Sequence, residues 1–100
     1  MHFHVQLIDD PKHPELRARH REAHWEYFDT HKDHFVARGA TLTDDMETYL
    51  SSVIFVEFDN WQAVRYFIDN EPLNKNDVYK EVRICRWHKG LQRGQVNFPR

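Results

Sequence analysis

SSVIFVEFDN, residues 51–60, is the stretch from which the fold can be read. Val53, Ile54, Phe55, Val56 and Phe58 leave little polar face between residues 52 and 58. A run this short, bounded by turn residues and rich in β-branched and aromatic side chains, reads as a strand. Because successive side chains point to opposite faces, both faces are apolar, and the strand is expected to be covered on both sides. Asp59-Asn60 then offers an N-cap for a helix over residues 61–69, with Trp61, Val64 and Ile68 on its inner face and Phe67 beside them.

Working outward toward the N-terminus, residues 2–8 read as another strand, with Phe3, Val5 and Leu7 on one face and His2, His4, Gln6 and Ile8 on the other. Asp9-Asp10-Pro11 ends it, since proline removes a ladder donor. Pro14 and Glu15 open a long helix that is expected to run to about Ala37, with Gly39 as its stop. Residues 41–49 read as a polar strand and turn. Toward the C-terminus, residues 70–76 are a loop or short helix containing Pro72, and residues 78–88 a last strand in which Cys85 reads as a small core residue. Residues 1–88 form the expected domain. Residues 89–100, with Gly90, Gly94 and Pro99, form a tail expected to be poorly ordered or to drape over a partner.

The order strand, helix, strand, strand, helix, strand, with right-handed crossovers, gives a four-stranded antiparallel sheet with two helices on one face, the ferredoxin-like βαββαβ α+β fold. That layout leaves one sheet face bare although the central strand is apolar on both sides. The expected cover is a second copy of the chain, so a homodimer joined through the open sheet face is predicted.

Composition narrows the function classes. One hundred residues argue for one domain, burying about two-thirds of its chain surface. A net charge of −2 with His neutral gives no electrostatic footprint for nucleic acid. The longest apolar run, residues 53–56, is too short to span a membrane, and His2 and His4 interrupt any signal-peptide pattern. A single cysteine excludes a disulfide framework and points to a cytoplasmic setting.

The anomaly is eight histidines. Advancing about 100° per residue from Leu16 puts Ala23, Tyr27, Phe28 and Phe35 on one arc of the first helix, with His20, His24, His31 and His34 inside it. His20, His31 and His34 read as rim residues with a wet edge. His24 differs because Arg17 and Arg21 lie next to it on the wheel, where like charge would keep the imidazole neutral. A neutral histidine between two arginines suits a base acting on a bound carboxylate; the bland reading is that both arginines reach out to surface acids such as Glu22 or Asp9. His20 and His24 have the spacing of helical zinc ligands, but residues 20–24 read HREAH rather than HExxH, and no third ligand is specified. No metal and no cofactor is therefore expected. Ser52 could hydrogen-bond a ligand.

Several segments together resemble the YCII-related family, small dimeric proteins of the dimeric α/β-barrel superfamily, over roughly residues 2–90. RARHREAH (17–24) carries the pattern Arg-x3-Arg-x2-His as Arg17, Arg21 and His24. Asp9 stands where the family often has an acid. GATLT (39–43) is similar to Gly-x-Leu-Leu-Thr, SSVIFVEFDN to Gly-Ser-x4-Glu-Phe, and NEPLNKNDVYKEVRI (70–84) to Asp-Pro-Tyr-x5-Tyr. The resemblance implies a cleft between helix and sheet holding a His–carboxylate pair, here His24 and Glu71, with glutamate in place of the family aspartate. The family Gly-Pro after Leu-Thr is replaced by Asp44-Asp45. Relatives include chloromuconolactone dehalogenases, and the wider superfamily includes muconolactone isomerases and haem-degrading monooxygenases.

The resulting expectation is a lyase-, isomerase- or dehalogenase-like enzyme acting on a small acidic, lactone-like metabolite. In it His24 moves a proton, Glu71 orients His24, Arg17 or Arg21 holds the substrate carboxylate, Ser52 hydrogen-bonds it, and Asp9 lies beside them. Two alternatives belong to other classes: a non-catalytic dimeric metabolite-binding module, and haem or metal capture by the histidine face.

Overall fold

The computed structural model describes residues 1–92 and 95–96. Strand β1 (His2–Asp9) alternates as its sequence demands, with Phe3, Val5 and Leu7 fully buried. It sits inside a four-stranded antiparallel sheet of order β2-β3-β1-β4, formed with β2 (Phe35–Leu42), β3 (Tyr49–Glu57) and β4 (Tyr79–Arg86). Helices α1 (Glu15–Thr30) and α2 (Trp61–Asp69) cover one face, and a single turn, α3 (Pro72–Lys75), precedes β4. This is the ferredoxin-like α+β arrangement. The core joins Phe3, Val5 and Leu7 of β1 to Ile54 and Val56 of β3, Phe28 of α1, and Val64, Phe67 and Ile68 of α2.

Three boundaries and two side-chain placements differ from the sequence expectation. Helix α1 stops at Thr30, not near Ala37; His31 caps it, residues 32–34 make a 3-10 turn, and residues 35–42 are strand. Phe35 and Val36 favour a pleated surface, and Phe35 pairs with Val56 in the ladder. The helical wheel was misled because Phe35, from the strand, still packs 4.9 Å from Phe28. The second strand is thus residues 35–42 rather than 41–49, and β3 starts at Tyr49, ahead of Ser52. Cys85 is exposed, not a core residue, because the β1–β4 register sets it opposite His4, on the face away from the helices. Trp61 is partly exposed; it meets Phe3 edge-on at the rim of the core.

Helix α2 begins where the sequence placed it. Asn60 takes an extended backbone, and its Oδ1 accepts from the Ala63 N–H at 2.8 Å. The face of the sheet away from the helices carries His4, Gln6 and Ile8 of β1 and Val53 and Phe55 of β3, half-buried against one another. Leu91–Gln92 and Gln95–Val96 form a separate two-stranded antiparallel ribbon. Residues 93, 94 and 97–100 of the expected tail lie outside the described residues. No helix is long and apolar enough to cross a membrane.

Candidate functional site

The site is assembled where the C-terminal end of β1 meets the first turns of α1. The β1–β4 ladder shifts register between Ile8 and Asp9, leaving Asp9 opposite Tyr79. Arg17, in the first turns of α1, donates from Nε to Asp9 Oδ2 and from Nη2 to Asp9 Oδ1, both at 2.7 Å. Nη2 also donates to Ser52 Oγ at 3.0 Å, from the helix-facing side of β3. Such a fork fixes the guanidinium plane. Burial works against the Arg17 charge, but the hydrogen bonds and negative charge of Asp9 outweigh it and raise its pKa. Its guanidinium also lies 5.1 Å from the centre of the Tyr49 ring.

Two helical turns further along the same face, His24 Nδ1 and Glu71 Oε1 are 2.5 Å apart. The two side chains are 7% and 0% exposed. Glu71 is held by the backbone as well. It N-caps α3, accepting from Leu73 N at 3.0 Å through Oε1 and from Asn74 N at 3.2 Å through Oε2. A carboxylate fixed in this way accepts, so Nδ1 of His24 is the N–H donor, and in the neutral imidazole this tautomer leaves the lone pair on Nε2. The longer arm of glutamate thus makes the helix cap and the histidine contact together. The guanidiniums that the wheel placed beside His24 go elsewhere: Arg17 to Asp9, and Arg21, exposed, over the Trp25 ring at 5.5 Å. The bonded partner of the imidazole is the carboxylate.

Both groups border one cleft of about 370 Å³ between α1 and the sheet. Three arginines line it: Arg17, Arg21 and Arg38. Arg38 stands over Phe28 at 5.5 Å and is 3.4 Å from exposed Asp29. Asp9 pairs with Arg17 and Asp29 with Arg38, but no acid lines the cleft itself, so its wall favours anions. Trp25, Phe28 and Tyr49 supply flat apolar wall. All six residues singled out in the sequence are therefore accounted for. Asp9, Arg17 and Ser52 form one cluster, His24 and Glu71 a second, and Arg21 stands at the rim bonded to neither.

Three further residues of this region escaped the sequence reading. Arg38 lies between the expected end of α1 and the expected strand and turn at residues 41–49, and Tyr49 at the end of that polar segment. Tyr79 sits inside the quoted 70–84 segment, but only the register opposite Asp9 turns it toward the site. Its hydroxyl is buried without a hydrogen-bond partner among the described residues. Burial, then the charge of Glu71, push its pKa well above the ordinary tyrosine value, against the opposing pull of the Ser52 hydroxyl and Arg17.

The other histidines lie apart from this cleft. His31 donates through Nδ1 to Tyr27 O at 2.8 Å, and His34 to Glu57 O at 2.9 Å. They border a larger cavity, about 970 Å³, which no arginine or lysine lines. Among the described residues no group of three or more His, Cys, Asp or Glu is placed to hold a metal ion.

Residues 1–88 match the YCII-related domain. The chain belongs to that family. Among solved structures it is similar to 5-chloro-2-hydroxyhydroquinone dehydrochlorinase (TftG) from Burkholderia phenoliruptrix AC1100, in complex with 2,5-dihydroxybenzoquinone. The two are 27% identical with a TM-score of 0.81, over 88% of this chain and 94% of that one. No curated protein matches the sequence. This YCII-related chain therefore shares its whole fold, dimeric α/β-barrel type, with an enzyme of small-molecule chemistry.

Proposed function

We propose that the chain is a small-molecule lyase, isomerase or dehalogenase that moves a proton on an acidic, unsaturated ring substrate of lactone or quinone type. The observation that carries this reading is the buried His24–Glu71 pair at 2.5 Å, set against a cleft lined by three arginines. Nε2 of His24 is the base. Glu71 holds the ring and stabilises the imidazolium that forms when Nε2 takes the substrate proton. The arginines hold the substrate's acidic group and the negative charge that develops as the proton leaves. Asp9 fixes the plane of Arg17, and Ser52 hydrogen-bonds the substrate. For a chlorinated hydroquinone, one hydroxyl proton is lost as a proton is added at the chlorine-bearing ring carbon; loss of a second hydroxyl proton then expels chloride with the C–Cl bonding pair and leaves the quinone, a net loss of HCl.

The support from similarity is that the dehydrochlorinase has this fold and holds a planar, acidic dihydroxyquinone. The open sheet face, with Val53 and Phe55 half-exposed, supports a homodimer built through it.

The test is chloride release from 5-chloro-2-hydroxyhydroquinone and, in parallel, isomerisation of unsaturated lactones by the purified chain. Turnover is expected on one of these classes, falling by about 10²–10⁴-fold in His24→Ala. Tight binding of 2,5-dihydroxybenzoquinone with no turnover on either class would instead make the chain a metabolite-binding module.

A further inference from the structure

One polar atom beside the cleft has no use in the chemistry above. Tyr79 opens β4 opposite Asp9, with its ring on the helix side of the sheet, 6.0 Å from Arg17 Cζ. Its buried hydroxyl lacks a hydrogen-bond partner among the described residues. A buried hydroxyl of this kind is destabilising, so retaining it calls for a purpose.

The accounting of donors and acceptors around it is restrictive. Asp9, held by Arg17 through both oxygens, and Glu71, held by His24, Leu73 N and Asn74 N, act on Tyr79 only through their charge. Ser52 is the neighbouring hydroxyl. A serine oxygen has two acceptor lone pairs and one proton. Arg17 Nη2 fills the first lone pair at 3.0 Å. Tyr79, which stays protonated, has one donor to offer to the second. Ser52 is then left with nothing but its own O–H to offer, and Ser52 lines the cleft.

We propose that Tyr79 is a positioning residue: together with Arg17 it saturates the acceptor sites of Ser52 and makes the Ser52 hydroxyl an obligate donor to an anionic oxygen of the ligand. The inference rests on the acid-binding reading of the cleft. It adds a specificity rule to that reading. A phenolate or enolate oxygen placed at Ser52 gains a charge-assisted bond. A ligand presenting only an N–H donor there meets another donor and is refused.

The experiment uses Tyr79→Phe and Ser52→Ala, singly and together, with Ser52→Thr as the conservative variant and 2,5-dihydroxybenzoquinone as the probe. Tyr79→Phe and Ser52→Ala are each expected to weaken the probe's Kd about tenfold, the size of one hydrogen bond to a charged group. The double variant should bind no worse than Ser52→Ala. Ser52→Thr should restore binding only while Tyr79 is present. Additive losses, or a Tyr79→Phe chain that binds like the wild type, would overturn the proposal. A ligand-free arm separates the contact from the function. In urea unfolding, the double variant's midpoint shift should differ from the sum of the single shifts, and simple additivity there also counts against Tyr79. A wild-type chain that ignores the probe while the unfolding coupling persists overturns the acid-binding reading, and the donor role with it, but leaves the Tyr79–Ser52 contact standing.

Discussion

Glu71 shows how one side chain can be structural and chemical together. Its carboxylate caps α3 and holds His24 while fully buried. Truncation leaves two backbone N–H groups and an imidazole without their acceptor, whereas an amide keeps one acceptor oxygen but loses the charge. Glu71→Ala should therefore cost about 3 kcal/mol of stability in urea unfolding, and Glu71→Gln much less. Glu71→Gln should nonetheless lower turnover strongly, because an amide cannot stabilise an imidazolium; equal turnover in Glu71→Gln and wild type would remove the pair from the mechanism. A second residue-scale effect belongs to Tyr27. Burial, then the charge of Glu71, raise its pKa to about 12, while its hydroxyl donates to Phe67 O at 2.8 Å. A raised pKa means that the protonated form is the one the fold prefers. That stability is complete below pH 10 and is lost as pH climbs toward 12. Tyr27→Phe should flatten the alkaline limb of a thermal-unfolding profile between pH 10 and 12; identical limbs would mean the hydroxyl is solvated. At this scale the sequence was informative about residue type and silent about direction. Arg17 and His24 stand out on the helical wheel, and Asp9, Ser52 and Glu71 through the resemblance to the family. Tyr79 and Arg38 do not, because only pairing between distant strands decides which way they face.

At the level of elements, legibility followed the strength of the local signal. Strand β1 and helix α2 could be read directly, since each has one sharp period and a clear boundary: Asp10-Pro11 in the first case, Asn60 in the second. The C-terminal end of α1 could not. Its residues mix histidine, lysine and aspartate, its apolar stripe is weak, and no glycine stops it at residue 31. What ends it is tertiary: Phe35 and Val36 gain more as an edge strand against β3 than as another helical turn. The N-cap of α2 is the device best suited to a quantitative check, since Asn60 is exposed and touches no part of the cleft. Asn60→Ala should cost about 1 kcal/mol of stability, read as a lower urea midpoint with an unchanged m-value. Asn60→Asp, which keeps an oxygen acceptor and adds a favourable charge at the helix start, should restore it. A loss shared by both variants would show that the cap bond is not what Asn60 contributes.

For the whole molecule, the decisive asymmetry lies between the two faces of the sheet. One face is closed by α1 and α2 and holds the core; the other presents Ile8, Val53 and Phe55, with no helix among the described residues over them. Strand β3 is apolar on both sides because each side has something to meet, and for the open side the proposed dimer supplies it. The cleft lies on the helix side, so assembly and ligand binding should be separable. Phe55 is the residue to change. It is half-buried, it packs against His4 at 5.2 Å and Trp87 at 4.8 Å, and it touches none of the site. In sedimentation the wild-type chain should run at twice its 12.2 kDa mass. Phe55→Lys places a charge at the centre of the proposed interface and should run at the single-chain mass, with far-UV dichroism unchanged. Its affinity for 2,5-dihydroxybenzoquinone should stay within about threefold of the wild type, because Arg17, His24 and Ser52 all reach the cleft from one chain. A wild-type chain that sediments as a monomer would remove the dimer and leave β3's second apolar face without a physical cause. A Phe55→Lys monomer that no longer binds the probe would mean instead that the partner copy shapes the cleft.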